Sequence, residues 1–307
     1  MSNRQFIFLH GRAQEYKDAT ALKAEWLESL NTGMAENGLV LPIDEKDVRF
    51  PFYGTTLYEM TQGLSESDAA RIILRGNANG MGLTQEEQAF LLEFLEEVRQ
   101  EADITDEQLM EVSDQYVIQR GPGQWEWVQA ILRAVDRFVP YSSGSAIALA
   151  TLDVYRYLTN DAIRLHIDTG IEEAFSAEKE AVVVSHSLGT VVAYNLLTRR
   201  GMANDWNIRQ LITLGSPLGV TRIRRTMRAL NGPLRCPPCV KAWFNAMDER
   251  DIVALYPLST RHFPLSPKNP AIENKRDVRN HTTNNHGIAG YLNDPEVAKR
   301  IHDALVG

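Results

Sequence analysis

Cysteine is scarce in this chain of 307 residues: there are two, Cys236 and Cys239. A disulfide framework is therefore excluded, and a reducing compartment suits the sequence. Their C-P-P-C spacing offers two of the roughly four ligands that a zinc ion takes, and no second pair completes the set. They lie in a Gly/Pro-rich connection from Asn231 onward, not between a strand and a helix. That context disfavours a redox pair and reads as a structural loop. Long apolar runs are missing too. The most lipid-like stretch, 146–152, is well short of the roughly 18 residues of a membrane span and stops at Asp153. The first residues hold an apolar run of only four, 6–9, too short for the core of a secretory signal, so a cytoplasmic location is expected. Basic surplus is also lacking: 32 Lys and Arg stand against 40 Asp and Glu, for a net charge of −8. A nucleic-acid partner is not expected on that balance. No internal repeat or low-complexity tract is visible.

The acidity is concentrated. Between Thr84 and Asp114 eleven Asp or Glu face one Arg, so the remainder of the chain is close to neutral. The composition, 44% hydrophobic and 23% charged, is that of a globular protein with a sizeable core. At roughly 150 residues per domain, the length allows two domains or one α/β domain carrying an insertion.

Apolar periodicity orders the elements. Residues 6–9 read as a buried strand ending in His10-Gly11. A helix follows with Leu22, Trp26, Leu27 and Leu30 on one stripe, and 47–53 reads as a second strand halted by Pro51 and Gly54. The middle third is helical. Thr84 with Glu87 and Thr105 with Gln108 form capping boxes, the first ahead of a stripe of Phe90, Leu91, Phe94, Leu95 and Val98. Another stripe runs from Trp125 to Phe138, and a long helix is expected over about 147–175. Strand signals return at 181–184, 210–214 and 240–247, with a last short strand at 277–280 and a closing helix over about 295–305. Strands alternating with helices predict a parallel sheet covered on both faces.

The sharpest local signal is Ser185-His186-Ser187-Leu188-Gly189, between the most strand-like run and an apolar-striped helix. A serine hydroxyl is a weak nucleophile and must be held exposed beside a base. A tight strand-to-helix turn does this for Ser187. It also brings free backbone N–H groups, Leu188 among them, to where an oxyanion would form. The usual pattern is G-x-S-x-G. Here Ser185 replaces the first glycine.

This elbow, the run T-L-G-S-P-L-G over 213–219 and the tail Asn285-His286-Gly287 together resemble the α/β-hydrolase superfamily, its lipase and carboxylesterase branch above all. The resemblance implies a mostly parallel sheet flanked by helices. It implies a core of residues 1–53 and 160–307, with a helical cap, 54–159, inserted between the early strands and the elbow strand. It implies a nucleophile, acid and base in that chain order. Ser187 is then the nucleophile. Asp251, directly before Ile252-Val253, is the candidate acid, with Asp248 the alternative. His286 is the candidate base, with His281 the alternative; His262 comes too early and His302 lies on the closing helix. The oxyanion donors would be the backbone N–H groups of Arg12 and Leu188, with His10 and Gly11 supporting that loop. Ser216 would adjoin the site without competing as nucleophile.

The implied activity is cleavage of a carboxylic ester, an acyl or lipid ester, through an acyl-enzyme, with no cofactor, no metal and no stable membrane insertion. Thioesterase, amidase and acyltransferase activities remain open on the same fold, as does a non-catalytic ligand binder. In the cap, Phe90, Phe94, Trp125 and Trp127 either line an acyl pocket or pack the cap onto the core. The basic segment 221–228 either binds an anionic head group, pairs with the acidic cap or stays solvated. An acidic outer cap should disfavour anionic membrane surfaces. No oligomeric state follows from these residues.

Overall fold

A computed structural model describes residues 4–11, 18–54, 82–113 and 125–307. The chain forms a six-stranded, all-parallel sheet flanked by helices. Its strands are β1 (Arg4–Leu9), β2 (Val48–Arg49), β3 (Glu180–His186), β4 (Asn207–Leu214), β5 (Trp243–Ala246) and β6 (Ile272–Lys275), in spatial order β2-β1-β3-β4-β5-β6. The helices are α1 (Ala19–Glu36), α2 (Gln85–Glu101), α3 (Asp106–Val112), α4 (Trp125–Phe138), α5 (Gly144–Thr159), α6 (Asp161–Glu172), α7 (Leu188–Arg200), α8 (Thr221–Asn231), α9 (Ile288–Leu292) and α10 (Pro295–Val306).

The continuous apolar strands make sense because side chains alternate between two covered faces. Phe6, Phe8, Val182 and Val184 join one apolar cluster with Leu22, Trp26 and Leu30 of α1 and Ile301 and Leu305 of α10. Ile7, Leu9, Ala181 and Val183 point the other way, into a cluster shared with α2, α4, α5 and α7. The described helices of the 54–159 segment thus bury their stripes in the same cluster as Val183, Leu188 and Val191. Both capping boxes close as their spacing predicts: Thr84 accepts from the Glu87 N–H, Thr105 from that of Gln108, and each partner side chain reaches back to its cap.

Four elements differ from expectation. The 147–175 helix is two helices, because Asn160 caps a new one through its side-chain oxygen to the N–H groups of Ala162 and Ile163. The 47–53 strand pairs only at Val48 and Arg49; Pro51 lacks the donor needed to continue the ladder. The 240–247 strand shortens to Trp243–Ala246. The last strand lies at Ile272–Lys275 and not at 277–280, where Asp277 makes only an isolated antiparallel bridge to Asp248. Its sequence, Ile-Glu-Asn-Lys, is polar because it forms the sheet edge.

Parallel register lines up the strand ends that matter. Leu9 sits opposite Ser185, His186 opposite Leu214, and Leu214 opposite Ala246. The loops after β1, β3, β4 and β5 therefore emerge side by side, at the carboxyl end of the sheet where α/β proteins place their ligands.

Candidate active site

The turn from β3 into α7 holds Ser187 at φ 55° and ψ −128°. A non-glycine residue in this region is strained and persists only where its surroundings fix it. They do here. The Ser187 N–H donates to Leu214 O at 3.1 Å. Its carbonyl accepts from the Thr190 N–H at 2.9 Å and the Thr190 hydroxyl at 2.7 Å. At Gly189 any Cβ would strike the carbonyls of Leu9 and His10, so glycine is needed where helix and strand pass closest. Ser185, in place of the usual first glycine, is accommodated because its hydroxyl donates to Ile212 O on β4 at 3.2 Å.

His286 reaches Ser187 from the loop before α9. Its Nε2 lies 2.8 Å from Ser187 Oγ, and its Nδ1 lies 2.7 Å from Asp251 Oδ2. With Nδ1–H donating to the carboxylate, Nε2 is free to accept the serine proton. Asp251 is fully buried, and every lone-pair direction is used. Oδ1 accepts from the N–H groups of Val253 (2.9 Å) and Ala254 (3.3 Å), and Oδ2 also accepts from the Tyr291 hydroxyl at 2.7 Å. Burial pushes this carboxyl up, but the His286 ring, the Tyr291 hydroxyl and the Val253 N–H outweigh it and hold it below the ordinary value.

The alternatives stand elsewhere. Asp248 accepts from the Arg250 backbone and guanidinium and from the Asn280 N–H, with Arg250 Nη2 at 2.6 Å. It ties β5 to the histidine loop and does not touch His286. His281 is exposed, next to the Asn293 side chain at 3.1 Å. His262 stacks on Tyr256, and His302 sits beside Asp303 on α10. The Ser216 hydroxyl is committed to Thr190 Oγ1 at 2.8 Å, since the Thr190 proton already goes to Ser187 O.

On the β1 side, His10 is fully buried and braces its loop. Its Nε2 accepts from the Tyr53 N–H at 3.1 Å, its Nδ1–H donates to Gly11 O at 2.7 Å, and the Tyr53 hydroxyl donates to His10 O. Burial lowers its pKa to about 4, so it is neutral at pH 7. Gly11 lies against the serine: a Cβ there would stand 2.8 Å from Ser187 Cβ. Leu188 is the first residue of α7, where the backbone N–H has no partner within the helix. Arg12 lies outside the described residues.

Several contributors escape sequence reasoning. His186 is buried between the loops, and its Nε2–H donates to His286 O at 2.8 Å. Burial drives its pKa to about 3. Asn280 Nδ2 donates to Asn285 O (3.1 Å) and Gly287 O (2.7 Å), and Asn284 Oδ1 accepts from the His286 N–H at 2.9 Å. Together they fix the backbone on both sides of His286. The S-H-S string makes His186 visible but names no partner for it. Nothing in the spacing points to Tyr291, 40 residues beyond Asp251.

A cavity of about 580 Å³ opens over Ser187 and His286, lined among others by Trp26, Tyr141, Ile147 and Ile252. Of the four aromatics expected to line an acyl pocket or pack a cap, Phe94 borders a second, smaller space at Ser187. Phe90 packs against Tyr155 and beneath Arg222, Trp127 donates to Glu96, and Trp125 is buried on α4. The basic segment pairs with the acidic one. Arg222 and Arg225 meet Glu93 at 3.1 and 3.5 Å, and Glu97 accepts from the Thr221 N–H at 3.0 Å, at the start of α8. Cys236 and Cys239 are buried free thiols, pushed by burial to about 12 and about 11, and so stay protonated. Among the described residues no cluster of three or more His, Cys, Asp or Glu side chains could hold a metal, and no helix is long and apolar enough to cross a membrane.

Compared with protein-family models, curated proteins and solved structures, the chain matches none.

Proposed function

We propose that this chain is a serine hydrolase of the α/β-hydrolase type that cleaves carboxylic esters. The observation that carries the reading is the unbroken path from Ser187 Oγ to His286 Nε2 at 2.8 Å and from His286 Nδ1 to Asp251 Oδ2 at 2.7 Å, on a serine held at positive φ. In this reading His286 Nε2 takes the hydroxyl proton as Ser187 Oγ bonds to the ester carbon. The carbonyl electron pair moves onto oxygen, where the Leu188 N–H at the start of α7 stabilises it; Arg12 is the proposed second donor. When the oxyanion collapses, the bond to the alcohol oxygen breaks. His286 returns the proton to that oxygen. Water, deprotonated by the same nitrogen, then attacks the acyl-serine and releases the acid. Asp251 fixes the tautomer of His286 and stabilises its cationic form. The helices of 54–159 are the proposed cap over this site.

Labelling with a fluorophosphonate probe tests the assignment. Folded wild type is expected to label and Ser187→Ala not to. Absence of labelling on folded wild type would refute the hydrolase and favour a ligand binder. Labelling without turnover of p-nitrophenyl acetate in water would move the reading towards acyl transfer.

A further inference from the structure

Ser187 borders two spaces of very different size. The first is the cavity of about 580 Å³, whose wall includes His286 and its neighbours Asn284 and Asn285. The second is a crevice of about 10 Å³ walled by Phe94, Val154, Leu188 and Ile223; it shares Ile147 and Val253 with the cavity and has none of residues 281–287 in it. Stereochemistry decides which part of an ester enters which space. A tetrahedral carbon on Ser187 Oγ has three other substituents. Its oxyanion faces the Leu188 N–H. Its leaving oxygen must come within hydrogen-bond reach of His286 Nε2, because that atom returns the proton. The alcohol therefore runs past His286 into the large cavity. The remaining substituent, the acyl chain, is directed into the crevice beside Leu188.

We propose that the enzyme is selective for esters of a very short acyl group, acetyl above all, carried on a comparatively large alcohol. This rests on the ester-hydrolase reading above. About 10 Å³ is close to the space of one water-sized sphere, enough for a methyl group and not for a chain. The walls do not yield readily. Phe94, Val154, Leu188 and Ile223 are all buried, and they come from α2, α5, α7 and α8, which pack in one continuous apolar cluster. Each further carbon must displace close-packed side chains. On the other side, several hundred Å³ suits a group of drug-like size.

The test compares kcat/KM for p-nitrophenyl acetate, butyrate and octanoate, with fluorophosphonate labelling run in parallel. Octanoate is expected to fall roughly tenfold or more below acetate, as overpacking a narrow crevice requires. Phe94→Ala and Val154→Ala enlarge the crevice, and each is expected to raise the octanoate-to-acetate ratio about fivefold or more. Two variants on different helices guard against one failing to fold. A protein that labels but favours octanoate, or whose ratio is unmoved in both folded variants, overturns the short-acyl proposal and leaves the hydrolase standing. A protein that does not label sinks both.

Discussion

Replacing Gly11 by alanine tests the geometry most directly. Gly11 has an ordinary negative-φ backbone, so alanine adds no backbone strain there. What it adds is one carbon, 2.8 Å from Ser187 Cβ, 3.3 Å from Ser187 Oγ and 3.4 Å from His186 Nδ1. Non-bonded carbons rest about 3.5–4.0 Å apart, so roughly 1 Å must be made up. Neither side is free to give. Ser187 is tied through its N–H to Leu214 and through its carbonyl to Thr190. The Gly11 loop is tied by His10 to Tyr53. Misplacing a reacting group by about 1 Å costs on the order of 10² in rate, and disturbing an oxyanion donor costs about 10²–10³. Overpacking lowers stability by about 1–3 kcal/mol. Gly11→Ala is therefore expected to remain folded while kcat/KM on p-nitrophenyl acetate falls about 10²–10³-fold, with fluorophosphonate labelling slowed to match. Gly170→Ala is the control: nothing lies within 4 Å of the added carbon, in the last turn of helix α6. It should keep full activity and gain up to about 1 kcal/mol. A folded Gly11→Ala protein with activity within threefold of wild type would refute the close approach of the β1 loop to the serine.

Three further outcomes are expected. Asp251→Asn should lower kcat by about 10³–10⁴-fold, since an amide cannot hold the His286 tautomer and its charge as the carboxylate does. Asp248→Asn loses bonds to Arg250 and Asn280 and should cost about 1–3 kcal/mol of stability with activity within tenfold; the reverse ranking of kcat in folded variants would transfer the acid to Asp248. Stability should also fall in mild acid. His10 and His186 are held neutral by burial, with pKa values of about 4 and about 3 against 6.5. Below pH 6.5 the unfolded chain takes up protons that the folded chain refuses, so stability is full above that pH and declines as pH falls towards the folded values. Between pH 7 and 5 the loss is about 2 kcal/mol for each histidine. Urea unfolding at the two pH values measures it, and an unchanged midpoint would mean that the two rings are not buried as described.

How much of this was legible in advance follows from the range over which each feature is determined. β3 and the elbow were readable because a four-residue apolar run, a serine and Gly189 settle that geometry within a dozen residues. The capping boxes were readable for the same reason. β6 was not, because an edge strand buries too little to show a pattern, and Asn274 spends its side chain on Leu258 and Asn245 rather than on a core. Asp251 and Asp248 could not be separated by position, because both are buried in one loop. What parts them is which donors they face: His286, Tyr291 and two backbone N–H groups for one, Arg250 and Asn280 for the other. The basic segment shows the same limit. Its charge matched the acidic helix in the sequence, but the choice between a ligand and a partner helix was made by α8 packing beside α2, which brings Glu93 and Glu97 to Arg222 and Thr221. The candidate site is the extreme case. Each loop that builds it carries a local signal, and the distances between them belong to the sheet, whose register sets Leu9, His186, Leu214 and Ala246 side by side. A one-residue slip of β3 against β1 would leave the S-H-S-L-G string intact and carry Ser187 about 3.3 Å along its strand, away from Gly11, so the chemistry read from the motif depends on hydrogen bonds that the motif itself does not contain.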